Sequence, residues 1–596
     1  MTSTVETESH AKAHHAVMRG TGIMMLGILG SRIAALFRER VIAHQFGQGF
    51  ATDTYSGSFT IPDLIFYLIA GGALSSAFIP VFSEYITQGN EKEAWRAFSV
   101  VATIMTMILV VLIGLGEIFA HSLVKLTNPG FVLIPGKIDA TVKLTRILLP
   151  AQLFFFLGGL MMGSLTARHK FFGQATGPII YNIGIICGGL FLTARYGVAG
   201  LCYGAFFGAF LGNFLLQWIL VRRSGGYFIL PPFKSTFIWL ISKLQGSRET
   251  MPAKLQAYWK HPGAAKVWKL MLPVILGLAL PPVATLINKI FASSLGNGPQ
   301  TALMNANKLM NIPIAIFGQA SAIAIFPLMS AQAAKTDMPG LRRSINFGVR
   351  SILFLTVPAS MLLFVLALPI VQLMLQTGKF NLADAQLAAA VLRCFSLGVC
   401  AWSAQAVVAR GYYALQDTRT PVIVGTALTA IFFLANVLFI HFIGHQHTVR
   451  ATAGLALLTS CSATILMLVL LYLLNRRLSG INMKRLTLST IRIFIASSVM
   501  AVCCVLLKQH IANYFPLLNA SHPSQSVFTS ALALILICIA VSICVYLFIA
   551  RLIKMEEMEV LYPLVGRMQT AAIKSLNASY VTISKIISRI TGTRRK

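Results

Sequence analysis

Apolar runs of about twenty residues, each closed by a short polar loop, recur from residue 22 to residue 550. A helix needs about 20 apolar residues to cross the hydrocarbon layer of a bilayer. In lipid the backbone polar groups must bond within the segment, so runs of this length predict transmembrane α-helices. About fourteen runs fit: 22–44, 58–82, 98–120, 147–167, 177–194, 199–221, 271–293, 309–331, 350–375, 387–410, 421–442, 452–474, 490–508 and 527–550. The expected fold is an all-α polytopic membrane protein of about 14 transmembrane helices.

The polar loops alternate in charge. One set holds Lys92 and Arg96, Arg168 and Lys170, Arg222 and Arg223, Arg342 and Arg343, Arg419, and Arg476 through Arg485. The other set holds only isolated cations such as Lys379, Arg450 and Lys508. Cytoplasmic loops are the ones rich in Lys and Arg, so the first set and both termini are expected in the cytoplasm. An even number of spans agrees.

Composition sharpens this picture. The 596 residues are 56% apolar and 11% charged, with mean hydropathy +0.75, against roughly 25% charged in a soluble domain. The formal net charge is +32, from 49 Lys and Arg against 17 Asp and Glu. In a soluble chain that excess would suggest nucleic acid. Here the cations sit between apolar runs and no basic domain stands apart, so the expected partners are anionic phospholipid headgroups. The nine cysteines lie in apolar runs without a CxxC pair, which argues against a zinc or redox site. Residues 1–20 are polar and lack the basic flank and small-residue cleavage site of a signal peptide.

The chain also repeats itself. Ala167-Arg168 is followed by Thr176-Gly177-Pro178, and Ala409-Arg410 by Thr418-Arg419-Thr420-Pro421. Ala199-Gly200-Leu201 begins a run ending at Arg222-Arg223. Ala453-Gly454-Leu455 begins one ending at Arg476-Arg477, 254 residues later. Six runs per copy give the copies one orientation, an axis along the membrane normal and a cavity between them. The expected divisions are a cytoplasmic tail 1–20, an N-lobe 21–223, a cytoplasmic amphipathic linker 224–270, a C-lobe 271–477, a final helix pair 478–552 and a basic tail 553–596. The final pair either packs on one lobe or leaves an apolar groove.

Catalytic chemistry is poorly supplied. The acids in the runs are Glu39, Asp63 and, near an end, Glu117. They form no carboxylate pair for Mg²⁺ or acid–base work. No metal-ligand spacing, phosphate loop or cofactor motif occurs, and His441, His445 and His447 read as a wet loop edge. The cations carry more. Arg32, Arg38 and Glu39 lie inside the first apolar run, where a charge costs at least about 2.5–3.5 kcal/mol and so faces a protein-lined cavity. Six residues at ~100° each leave Arg32 and Arg38 about 120° apart, able to border one broad cavity. A guanidinium fork matches phosphate bidentately. Glu39 is placed to pair with an arginine or with a cation from a neighbouring helix. Arg40 is expected to snorkel to the interface, and for Lys289 and Lys308 snorkelling competes with cavity lining. Asp53 is either a helix cap or an outer-side gate residue that pairs with a cation on closure.

Several blocks resemble the MurJ (MviN) lipid II flippases of the MOP exporter superfamily. They are Ser31-Arg32 with Phe37-Arg38-Glu39, Phe46-Gly47 through Asp53, Ile61-Pro62-Asp63-Leu64, Ala70-Gly71-Gly72 through Pro80, Asn305-Ala306-Asn307-Lys308, Gln376-Thr377-Gly378-Lys379-Phe380, and Gly411-Tyr412 through Pro421. The resemblance implies two six-helix lobes plus a final pair forming a lipid-tail groove. It implies flipping of undecaprenyl-pyrophosphate-linked peptidoglycan precursor from the inner to the outer leaflet of a bacterial plasma membrane. It places Arg32, Arg38 and Lys308 at the pyrophosphate head, and Asp53 at an outer-side aspartate. One branch of the family has an arginine pair and a glutamate where this chain has Phe66, Tyr67 and Gly71, and an acid where it has Asn311. A sodium-site carboxylate is not evident after Asn436. The expected mechanism is alternating access, with lipid II as substrate and cell-wall synthesis proteins as compatible partners. An exporter of another polyprenyl-linked glycan and a non-transporting scaffold of a cell-wall complex remain the rival readings.

Overall fold

The computed structural model describes residues 26–69, 73–229, 261–278, 280–443, 448–512 and 525–560, together with Met24, Pro252, Gln256, Tyr258 and Trp259. Helices α1 (26–46), α2 (Phe50–Ser58), α3 (Thr60–Ile69), α4 (Ala73–Thr87), α5 (Glu91–Ile118), α6 (Lys137–Ala167), α7 (Phe172–Tyr196) and α8 (Ala199–Arg223) come first. After the linker follow α9 (Pro262–Leu278), α10 (Leu280–Ser293), α11 (Pro299–Ala334), α12 (Met338–Val365), α13 (Leu382–Ser396), α14 (Val399–Ala414), α15 (Arg419–Ile443), α16 (Thr448–Arg477), α17 (Met483–Ala512) and α18 (Gln525–Leu552). Among the described residues ten helices are long and apolar enough to cross a membrane, or eleven when α13 and α14, bent by 40°, are counted as one span. The runs expected at 22–44, 58–82 and 271–293 are largely helical over their described residues. However, α1 carries four charges, and the other two runs are divided into α3 with α4 and α9 with α10. The tail 1–20, most of the 224–270 linker, Gly71, Gly72, His445, His447 and the tail beyond residue 560 lie outside the described residues.

The helices pack as two lobes. Phe78 and Phe82 of α4, Trp95 and Phe98 of α5, and Leu160 of α6 share the core of the first. Ile345 and Phe354 of α12, Val408 and Tyr412 of α14, and Leu470 of α16 share that of the second. Lipid is as apolar as leucine, so helices in a membrane adhere through close backbone approach and van der Waals contact. Glycines provide it between α7 and α8: a Cβ on Gly184 would lie 2.6 Å from the Gly208 Cα, and one on Gly188 2.3 Å from the Gly200 carbonyl oxygen. In α11, Pro313 has no N–H for the preceding turn, and the helix widens into a π turn at Ile314–Gln319.

The end of the linker and the final helix pair both pack on the lobes. Tyr258, Ala264, Val267 and Met271 are buried in the first lobe's core. The Tyr258 hydroxyl lies 3.1 Å from that of Thr103. Helix α9 therefore runs straight through the expected linker boundary at residue 270 and starts out packed on the first lobe. The final pair joins the second lobe: Ile493, Ala496 and Met500 of α17 enter its core, and Leu534 and Cys538 of α18 pack with Leu366. Beyond α18, Glu556 and Glu557 hold Arg350 of α12, at 2.8 Å from its Nη2 and 2.6 Å from its Nε.

Candidate functional site: a charged cavity between the lobes

Arg38 and Glu39 are consecutive on α1, yet their side chains meet. Arg38 donates to Glu39 Oε1 through Nε (3.0 Å) and Nη2 (2.5 Å), and to Asn182 Oδ1 of α7 through Nη1 (2.9 Å). Lys308 reaches the same Glu39 oxygen from α11, at 2.8 Å. One buried carboxylate thus bridges a guanidinium of the first lobe and an ammonium of the second. Glu39 takes the place of the acid missing at Asn311, which donates to the Asn307 side chain instead, at 2.8 Å.

These three groups line a cavity of about 440 Å³ that also receives Asp63 and Tyr67 of α3, Tyr181 of α7, and Lys289 of α10. Lys289 donates to the Ser56 carbonyl and the Thr60 hydroxyl, each at 3.1 Å. The arginine pair missing at Phe66 and Tyr67 is replaced by aromatic packing: Phe66 meets Phe155 edge-on at 5.9 Å, and Tyr67 faces the cavity. Buried charges persist where each is paired and hydrogen-bonded. Here three cations and two carboxylates share one space, a setting suited to an anion with several oxygen acceptors.

The other expected residues lie elsewhere. Arg32 is exposed on α1, outside the cavity lining. Arg40 crosses to the second lobe, donates to the Leu373 carbonyl at 2.7 Å and stacks over the Phe528 ring at 4.7 Å. Asp53 is fully buried where α2 meets the start of α11. It accepts from the Gly298 N–H (2.7 Å), the Thr301 N–H (2.9 Å), the Thr301 hydroxyl (2.6 Å) and Lys137 Nζ (3.1 Å). Asp53 thus meets the first N–H groups of a helix of the opposite lobe and pairs with a cation. Lys137 also donates to Asn297 Oδ1 at 2.8 Å. Around this clasp, Gln300 donates to Asn128 at 2.7 Å and Gly130 N–H to Ser293 Oγ at 2.9 Å. A Cβ on Gly130 would lie 2.3 Å from Ser293 and Ser294 backbone atoms. The lobes are closed against each other on this side.

Lys137 and Asn182 contact the expected site residues and are ones that sequence patterns did not single out. Lys137 starts a helix in a polar stretch, and Asn182 is one amide within an apolar run. Neither has a signal without the register between helices.

Two helical lobes around a charged cavity make a polytopic fold that is also found in the MOP superfamily. An inward-facing multidrug resistance MATE family transporter of that superfamily shares the fold, with a TM-score of 0.56 at 12% identity over 76% of this chain and 95% of that one. The chain itself belongs to the lipid II flippase MurJ family, whose family model matches residues 42–522. The lipid II flippase MurJ of Burkholderia cenocepacia is 27% identical over 449 residues, 75% of this chain and 81% of that protein. A solved lipid II flippase MurJ in an inward closed conformation superposes with a TM-score of 0.67 at 22% identity, covering 91% of this chain and 99% of that one.

Proposed function

We propose that this protein moves lipid II, the undecaprenyl-pyrophosphate-linked peptidoglycan precursor, from the inner to the outer leaflet of a bacterial plasma membrane. Family membership supports the substrate and the transport activity. The cavity supports the manner of recognition: Arg38 and Lys308, from opposite lobes, converge on one carboxylate that a diphosphate can replace. The head group enters between the lobes, the diphosphate displaces Glu39 from one of the two cations, and the polyprenyl tail stays in lipid beside α17 and α18. The clasp at Asp53 opens, the cavity closes on the other side, and the head leaves. Arg32, exposed on α1, meets the head group on its way in. Basic loops orient the protein with both termini in the cytoplasm, which puts the Asp53 clasp on the outer side. Anionic phospholipids meet those loops, and cell-wall synthesis proteins are compatible partners.

The decisive experiment is rescue of a bacterium depleted of its own flippase, combined with a leaflet-specific assay of lipid II. Wild type restores growth and outer-leaflet lipid II, and Arg38→Ala, expressed at the same level, restores neither. Rescue by Arg38→Ala would remove the guanidinium from head-group binding. Growth rescue without any change in outer-leaflet lipid II would favour the scaffold.

A further inference from the structure

Asp63 projects from α3 into the cavity, where it is exposed to the enclosed space. No described group lies within hydrogen-bonding or ion-pairing distance of its carboxylate. Glu39, by contrast, is held by Arg38 and Lys308, and Lys289 turns its ammonium to the Ser56 carbonyl and the Thr60 hydroxyl, one turn before Asp63. The charged and titratable groups facing this space are Arg38 and Glu39 on α1, Tyr55 on α2, Tyr67 on α3, Tyr181 on α7, Lys289 on α10 and Lys308 on α11.

Count the charge. Three cations and two carboxylates leave the empty cavity with one net positive charge. A diphosphate diester brings two negative charges, so its arrival leaves one negative charge uncompensated in a space walled by protein, a costly arrangement. A free carboxylate beside a diphosphate is also a like-charge pair, which favours the protonated acid. The tyrosines bring no charge to this count and the cations are counted in full, while Glu39 keeps one cationic partner to hold its charge. Asp63 is the group whose protonation balances the site.

We infer that Asp63 is a proton-binding site of the transport cycle: it takes one proton from water as the diphosphate head binds and returns it when the head leaves. The inference rests on the pyrophosphate reading above and adds a proton to its stoichiometry.

Equilibrium binding of lipid II to the full-length protein in detergent, from pH 6 to pH 9, tests it. The lipid II diphosphate is a diester with no ionisation in that range. Expected for the wild type is affinity that weakens with rising pH, by up to about tenfold per pH unit, the slope of one linked proton. Asp63→Asn, neutral and nearly isosteric, is expected to bind with one affinity across the range, equal to that of the wild type at pH 6. Lys289→Gln binds more weakly but keeps the slope. A flat wild-type profile, or a slope that survives in Asp63→Asn, overturns the role of Asp63. A slope lost in Lys289→Gln and kept in Asp63→Asn moves the proton to the lysine and overturns it as well. Absence of lipid II binding at every pH instead overturns the pyrophosphate reading of the cavity.

Discussion

Arg38 commits three of its five N–H donors, two to Glu39 and one to Asn182, so an arriving phosphate meets a guanidinium already aimed, with donors to spare. Removing a hydrogen-bonded charge of this kind costs about 1.5–3 kcal/mol. Arg38→Ala is therefore expected to weaken lipid II binding about tenfold to a hundredfold in an equilibrium assay. Arg38→Lys keeps the charge but loses the fork and falls between. Arg32→Ala, at an exposed position off the cavity, is expected to cost less than Arg38→Ala. Glu39→Gln separates binding from transport. It removes the carboxylate with which the diphosphate competes, so lipid II binds more tightly, yet flipping slows because nothing replaces the departing head on Arg38 and Lys308. Equal loss of binding and flipping would contradict this exchange. The charges on α1 are legible in sequence because an apolar run makes each one expensive. The bridge between Glu39 and Lys308 is not, because the pattern along two helices says nothing of how they are set against each other.

Helix α11 owes its start to another lobe. Gly298 stands at φ +106°, and the first N–H groups of the helix are met by Asp53 across the seam. Lys137 supplies the counter-charge, with both side chains fully buried. Removing one partner of such a pair costs about 3–5 kcal/mol, because the other charge stays buried and alone. Asp53→Ala and Lys137→Ala are each expected to lower thermal stability and to raise thiol labelling of a cysteine placed at Thr301. The double variant is expected to lose less than the two single losses combined, and full additivity would show that the pair is not coupled. A second contact of this scale lies at the far end of α18. There the Arg350 and Arg485 guanidiniums hold the Glu556 carboxyl below the usual carboxylate range. A carboxyl lowered by folding contributes stability above its unfolded pKa and loses it as pH falls through the folded one. A nitroxide at Met558 should stay restrained at neutral pH and loosen only as pH drops below the ordinary glutamate value of about 4.3. In Glu556→Gln it should be loose already at pH 7. Since Glu556 is half exposed, the effect is confined to this segment.

At the scale of the whole molecule, most of the architecture is written in hydropathy. Run lengths predict the spans, and the 254-residue offset predicts two like-oriented lobes. Helix α9 begins ahead of the apolar run expected from residue 271: Lys266 and Lys269 interrupt the apolar pattern, yet Ala264 and Val267 pack into the first lobe. The closed seam is invisible to hydropathy because it is built from polar and glycine positions scattered over Asn128, Lys137, Asp53 and Gly298. A second set of contacts extends the seam: the Lys379 N–H donates to the His44 carbonyl at 3.0 Å, and the His44 ring lies 3.1 Å from the Thr377 hydroxyl. His44 lies in the last turn of α1, and Thr377 follows the short helix Ala367–Leu375 of the second lobe. If the lobes must part here for the head group to leave, joining them should stop transport without touching the cavity. His44→Cys with Thr377→Cys, in a background lacking the nine native cysteines, brings two thiols to this gap. Oxidation is expected to abolish appearance of lipid II in the outer leaflet and a reductant to restore it, while lipid II binding from the other side persists throughout. Each single cysteine variant should be indifferent to oxidant. Undiminished flipping by the fully cross-linked protein would mean that the head passes by another route, and rocking of the lobes about this seam would have to be abandoned.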